Sequence, residues 1–199
     1  MQIRYLALGD SYTIGESVVE QENFPNQLGS LLTKSGHPTD VTIIARTGWT
    51  TSELWDGIQK TSLKPPYNLV SLLIGVNNQY RGYDSNEYRK EFHFLLGQAI
   101  EYAGGDVKRV FIFSIPDWGV TPFAVERDAT SIAMEIDLYN SINREEAGKV
   151  GAHYLDITPI SRKAKNDSAL IAEDGLHPSV KMYAEWVELA LPEILQSLK

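Results

Sequence analysis

Residues 67–74 read Y-N-L-V-S-L-L-I, a nearly continuous apolar run. Runs of this kind belong to strands covered on both faces, because a strand with one face in water alternates polar and apolar residues. Four other stretches share the character: Ile3 to Leu8, Val41 to Ala45, Val110 to Ile115 and Tyr154 to Ile157. Segments with helical spacing separate them. Asn23-Phe24-Pro25 starts one, with Leu28, Leu31 and Leu32 as its buried stripe, and Thr50-Thr51-Ser52-Glu53 opens the next as a capping box. Longer helices are expected from about Asp84 to Ala103, Asp128 to Gly148 and Ser179 to Leu198. The last of these should bury Val180, Tyr183, Val187, Leu191 and Ile194. Strand and helix alternate five times, which predicts an α/β domain with a five-stranded parallel sheet wrapped by helices. At 199 residues, with no repeat, linker or low-complexity segment, residues 1–199 are read as one domain.

A parallel sheet puts every strand exit on one edge, so residues far apart in sequence are expected to share one cleft. The first strand stops at Gly9-Asp10-Ser11, the second at Arg46-Thr47-Gly48-Trp49, the third at Gly75-Val76-Asn77-Asn78 and the fourth at Pro116-Asp117-Trp118-Gly119. The polar segment after the fifth carries Asp174-Gly175-Leu176-His177-Pro178. These exits hold the parts that acyl transfer needs. Ser11 offers a hydroxyl nucleophile, His177 an imidazole base, and Asp174 a carboxylate to orient it. The Asn77 amide and the unobstructed backbone N–H of Gly48 offer donors for an oxyanion.

Each part alone has a plainer reading. Asp10 or Ser11 can be a helix cap, Asn77-Asn78 a turn pair, Gly48 the lead-in to the Thr50 cap, and Asp174-Gly175 a simple turn. Their convergence on one edge is what favours a site. The other histidines act as controls. His37 has Asp40 three residues on, mirroring Asp174 and His177, but it precedes the second strand and so falls at the opposite edge. His93, inside a helix, and His153, just before a strand, are read as packing or surface residues.

Charge narrows the partners. The net charge is −8 and the 18 basic residues form no run, which argues against nucleic acid or an anionic membrane. With no cysteine, disulfides, thiolate nucleophiles and cysteine metal sites are excluded. No segment approaches the roughly 20 apolar residues that span a bilayer, and the N-terminal residues lack a leader-like apolar region with a small-residue cleavage site. The expectation is a soluble, cytoplasmic protein whose partner is a small molecule.

Gly9-Asp10-Ser11, Gly48, Gly75-Val76-Asn77-Asn78 and Asp174-Gly175-Leu176-His177, in that order and spacing, resemble the motif blocks of the SGNH, or GDSL-type, hydrolases. The resemblance spans nearly the whole chain. It implies a flavodoxin-like three-layer α/β/α sandwich and metal-free, cofactor-free ester hydrolysis. Ser11, Asp174 and His177 would form the triad, and the N–H groups of Ser11 and Gly48 with the Asn77 side chain the oxyanion hole. Tyr12 stands where the family name has Leu, and Asn78 where Asp is frequent; both departures bear on substrate detail. Asp10, Tyr12, Trp49, Asn78, Trp118 and Phe123 are assigned to substrate contact, with Tyr80 and Tyr83 as further aromatic candidates. A short-chain acyl or acetyl ester is the expected substrate, with a carbohydrate as one candidate for its alcohol half. The competing readings are a catalytically silent binding module for a carbohydrate or small molecule on the same fold, and a metallohydrolase using Asp10, Asp174 and His177.

Overall fold

The computed structural model describes residues 2–198. In chain order its first elements are β1 (Ile3–Gly9), α1 (Ser11–Ile14), α2 (Phe24–Lys34), β2 (Thr39–Ala45), α3 (Thr51–Gln59) and β3 (Leu69–Leu73). There follow α4 (Val76–Tyr80), α5 (Ser85–Tyr102), β4 (Val110–Phe113) and α6 (Ala129–Val150). The chain closes with β5 (His153–Leu155), α7 (Thr158–Arg162) and α8 (Val180–Ser197).

The five strands are all parallel and lie in the order β2-β1-β3-β4-β5. This is the flavodoxin-like doubly wound order, in which the direction of winding reverses between β1 and β3. Right-handed crossovers then place the first helix on the opposite face from those that follow. Accordingly α2 packs against α8, while α3, α5 and α6 pack in series. Covered on both faces, β3 has all five residues buried, as its apolar run requires. Its one hydroxyl, Ser71 Oγ, is satisfied by Tyr5 Oη at 2.7 Å. Phe24 of α2 joins the layers, its ring 5.0 Å from Phe113 and 6.0 Å from Trp186. Each such fully buried aromatic or aliphatic side chain is worth about 1.5–3 kcal/mol of transfer free energy.

The helix starts follow their side-chain chemistry. Asn23 caps α2 by accepting the Asn26 N–H, and Thr50 and Glu53 close the reciprocal capping box on α3. Other details differ from expectation. Strand β4 ends at Phe113 rather than Ile115 because Asn140 of α6 takes over the Ile115 peptide, accepting its N–H at 2.7 Å and donating to its carbonyl at 3.0 Å. Strand β5 is His153–Leu155 rather than 154–157, since the Ile157 N–H turns to Ser114 Oγ at 2.8 Å. Val180 is exposed, standing at the first position of α8 next to the Ser179 cap, and Leu31 and Leu191 are only half-buried. Three short helices, α1, α4 and α7, occupy stretches read from sequence as loops.

Gly9 makes the exit from β1 possible. A Cβ there would lie 2.1 Å from Thr13 Oγ1 and 2.4 Å from the Leu73 carbonyl oxygen, so only glycine lets the chain pass directly from the central strand into α1.

Candidate active site

At the carboxyl edge of the sheet, Ser11, Gly48, Asn77 and His177 line one cavity of about 190 Å³. Tyr12, Val76, Tyr80, Trp118, Phe123 and Leu176 complete most of its wall. The floor sits at the β1/β3 reversal, where the crossovers diverge and leave a crevice. Ser11 opens α1, and the Asp10 carboxylate caps that turn by accepting the Tyr12 N–H at 3.0 Å.

His177 is 8 % exposed and held from behind. Its Nδ1 lies 2.5 Å from Asp174 Oδ2, while Asp174 Oδ1 accepts the backbone N–H groups of Leu176 and His177, each at 2.9 Å. Ser17 Oγ donates to Asp174 Oδ2 at 2.8 Å. Burial pushes the Asp174 carboxyl up, but the hydrogen bonds from the His177 ring, the two N–H groups and Ser17 outweigh it and hold the group at about 2. An ionised carboxylate only accepts, so Nδ1 must carry the proton and Nε2 of the neutral ring is the free base. An antiparallel bridge between Ile171 and Pro178 closes the loop that presents this pair. Ser11 and His177 line the same cavity, and among the described residues no direct hydrogen bond joins them; catalytic hydrogen bonds commonly tighten only when substrate binds.

The donor side is set by two asparagines with different tasks. Asn77 Nδ2 donates one N–H to the Trp49 carbonyl at 2.9 Å, which fixes the amide plane and leaves its second N–H for the cavity that Asn77 lines. Asn78 is fully buried and clamps the start of α3: it accepts the Thr51 N–H at 3.1 Å and donates to Thr51 Oγ1 at 2.7 Å. Together they tie α4 to the β2–α3 loop. Gly48 in that loop has φ +85°, a region glycine enters without strain, and Arg81 Nη2 holds its carbonyl at 2.7 Å.

A model of the GDSL-like lipase/acylhydrolase family matches residues 7–185. The chain belongs to that family. The curated proteins compared include no match. Among solved structures, the lipase/acylhydrolase from Enterococcus faecalis superposes with a TM-score of 0.77 at 20 % identity, over 100 % of this chain and 98 % of that one. A psychrotrophic esterase, EstA from Pseudoalteromonas sp., inhibited by monoethylphosphonate, gives 0.74 at 14 % identity over 99 % of each chain. A variant of Axe2, an acetyl xylan esterase from Geobacillus stearothermophilus, gives 0.70 at 18 % identity, covering 96 % of this chain and 94 % of that one. At these identities the likeness concerns the fold.

In this GDSL-like chain, three residues assigned from sequence to substrate contact lie outside the cavity lining. Asp10 is wholly buried as the cap of α1, with burial pushing its carboxyl up to about 7 against the pull of the Tyr12 N–H. Asn78 is spent on Thr51. The Trp49 ring is folded onto α3, where a Cβ at Gly57 would come 2.1 Å from it. Tyr83 also stays out of the lining, whereas Tyr12, Tyr80, Trp118 and Phe123 form it. Among the described residues no three His, Asp or Glu side chains group as a metal site, Asp10, Asp174 and His177 included.

Several contributors carried no sequence signal. Ser17, with φ +66°, reaches Asp174 from a distant loop. Asp117, 2 % exposed, anchors the Trp118 turn by accepting the Gly119 N–H at 2.9 Å and pairing with Arg162 Nε at 2.9 Å. The Phe123 N–H donates to the Gly175 carbonyl at 3.0 Å and so joins the aromatic wall to the His177 turn.

Proposed function

We propose that this protein is a serine hydrolase of small carboxylic esters with short acyl groups. The observation that carries the reading is the single cavity shared by Ser11, Gly48, Asn77 and His177, with ionised Asp174 locking the His177 ring from behind. His177 Nε2 takes the Ser11 proton as Oγ attacks the ester carbonyl. The oxyanion is received by the N–H groups of Ser11 and Gly48 and by Asn77 Nδ2. His177 returns the proton to the departing alcohol, leaving an acyl-serine that water cleaves by the same route. The chain's own side chains supply every proton transfer, so neither metal nor cofactor is called for.

Cavity size supports the acyl assignment. About 190 Å³ falls below the roughly 300–1,000 Å³ of pockets that enclose drug-sized ligands, and its walls are largely Tyr80, Trp118, Phe123, Val76 and Leu176. The test is an aryl-ester series from acetate to decanoate, run beside Ser11→Ala. Rates should be highest for the shortest acyl groups, fall steeply toward octanoate, and vanish in Ser11→Ala. A serine-directed phosphonate should add mass to the wild-type protein alone. Equal labelling of Ser11→Ala would remove Ser11 from the role, and a rate that climbs with chain length would remove the short-acyl assignment.

A further inference from the structure

A second cleft, of about 280 Å³, lies beside the cavity that holds Ser11, and Tyr80 and Trp118 line both. The two sides of this shared wall differ in chemistry. The Ser11 side is mostly apolar; the far side presents Arg127, Asp128, Ser131 and Glu135. Trp118 Nε1 donates to Oε1 of Gln79 at 2.8 Å, and Gln79 Nε2 donates to Glu135 Oε2 at 2.7 Å. Gln79 is only 5 % exposed, so one buried amide fixes the wall and a carboxylate of the far cleft relative to each other.

Hydrogen-bonding capacity in the far cleft is unevenly committed. Asp128 is occupied capping α6, accepting the Thr130 and Ser131 N–H groups, and Ser131 Oγ donates to it at 2.9 Å. Gln79 occupies Glu135 Oε2, while among the described residues Oε1 accepts no hydrogen bond, and Arg127, whose guanidinium stands 5.9 Å from the Tyr80 ring centre, brings a fork of donors. An acyl chain there would desolvate these charges without replacing their hydrogen bonds. An anionic ligand would meet Asp128 and Glu135, and a cationic one Arg127. A neutral ligand carrying several hydroxyls uses both kinds of partner. The Tyr80 ring, 47 % exposed and standing edge-on to Trp118 at 5.4 Å, offers an apolar face that suits the C–H surface of a sugar ring.

We propose that the far cleft binds the alcohol half of the ester, that this alcohol is a neutral sugar with vicinal hydroxyls, and that Tyr80 divides the acyl half from the sugar half. The proposal rests on the ester-hydrolase reading above, and its test separates the two. Saturation-transfer NMR of methyl β-xyloside and of glycerol is measured on wild type, Arg127→Ala and Glu135→Gln. In parallel, the ratio of kcat/KM for acetylated methyl xyloside to that for p-nitrophenyl acetate is compared across the same proteins. Each variant removes or weakens one charge-assisted hydrogen bond, so the ratio should fall about tenfold, mainly through KM. The glycoside signal should fall with it. A wild-type ratio and signal in both variants would overturn the sugar cleft while leaving ester hydrolysis standing. Glycerol binding as well as the glycoside would overturn the ring and its Tyr80 platform. A wild-type protein that binds the glycoside at Arg127 and Glu135 but cleaves neither ester would support the sugar cleft and overturn the hydrolase reading.

Discussion

Three histidines in this chain have an aspartate three residues away, and two of these pairs, at opposite edges of the same sheet, differ completely in geometry. Asp174 and His177 flank a turn in which Gly175 adopts φ +73°, so the chain curls and the carboxylate reaches Nδ1 at 2.5 Å. His37 and Asp40 flank the start of β2, where Asp40 pairs in register with Arg4 and the chain is extended. Side chains three apart on an extended strand point to opposite faces, and among the described residues the His37–Asp40 pair is not joined. Equal spacing in sequence therefore encodes a coupled pair only where the backbone turns. Position adds the second difference. Pro38 accepts the Ile3 N–H where β1 begins, a full strand length from Ser11 where β1 ends.

The strongest way to break this comparison is to delete each imidazole. His177→Ala should lower kcat on an aryl acetate by on the order of 10⁴–10⁶-fold, as loss of a general base does in serine hydrolases. Asp174→Asn should cost roughly 10⁴-fold, because the Asn amide would donate to Nδ1 and leave the proton on Nε2. His37→Ala and Asp40→Asn should stay within a few-fold of wild type. An inactive His37→Ala beside an active His177→Ala would invert the strand order on which the mechanism depends.

A second contrast sits in adjacent residues and predicts a smaller effect. Asn77 lines the cavity and Asn78 is buried against Thr51. Asn77→Ala should lower kcat by about 10²–10³-fold with KM little changed, the usual cost of one oxyanion donor. Asn78→Ala should instead leave the Thr51 N–H and hydroxyl short of partners and destabilise the fold by about 1–3 kcal/mol, seen as a lower Tm with residual activity. If the two variants exchanged these signatures, the donor would be Asn78.

These pairs also show what the sequence discloses. The five apolar runs and the capping residues Asn23, Thr50, Asp84, Asp128 and Ser179 mark the elements, because burial on both faces and orphan N–H groups are local demands. The shared edge of Ser11, Gly48, Asn77, Asp174 and His177 follows from the strands being parallel, whereas the flavodoxin-like arrangement of those strands comes only with the family resemblance. What stayed hidden depends on tertiary approach. Asn78 and Asp10 look like site residues by position, and only packing shows that their polar atoms are consumed inside the fold. Ser17, Asp117 and Gln79 act through partners 157, 45 and 39 positions away, Asp174, Arg162 and Trp118 respectively. No periodicity carries that information.

The smallest effect concerns Asp10 and Asp174, the same residue type with opposite linkage to folding. Asp174 is held at about 2, below its ordinary 3.8, so its contribution to stability is present above pH 3.8 and is lost as pH falls toward about 2. Asp10 is pushed up to about 7 by burial. Its contribution is therefore full below pH 3.8 and is lost as pH rises to about 7, where a buried carboxylate must form. Tyr12, Tyr88 and Tyr183 are the titratable groups packed near it, and neutral phenols bring no positive charge to offset that ion. Among the described residues one carboxylate oxygen, Oδ2, has no hydrogen-bond partner, which leaves the charged form supported only by backbone N–H groups, those of Tyr12 and of Asp10 itself. Tm of wild type should fall between about pH 5 and pH 8 by the part of this linkage that other groups do not mask. Asp10→Asn keeps an oxygen for the Tyr12 N–H and has no charge to bury, so its Tm should fall less over the same interval. Asp174→Asn should flatten the acid limb below pH 4 and leave the neutral limb as in wild type. Parallel Tm profiles for wild type and Asp10→Asn from pH 5 to pH 8 would mean that Asp10 ionises in the folded protein at an ordinary pH, and that the buried cap costs nothing as a charge.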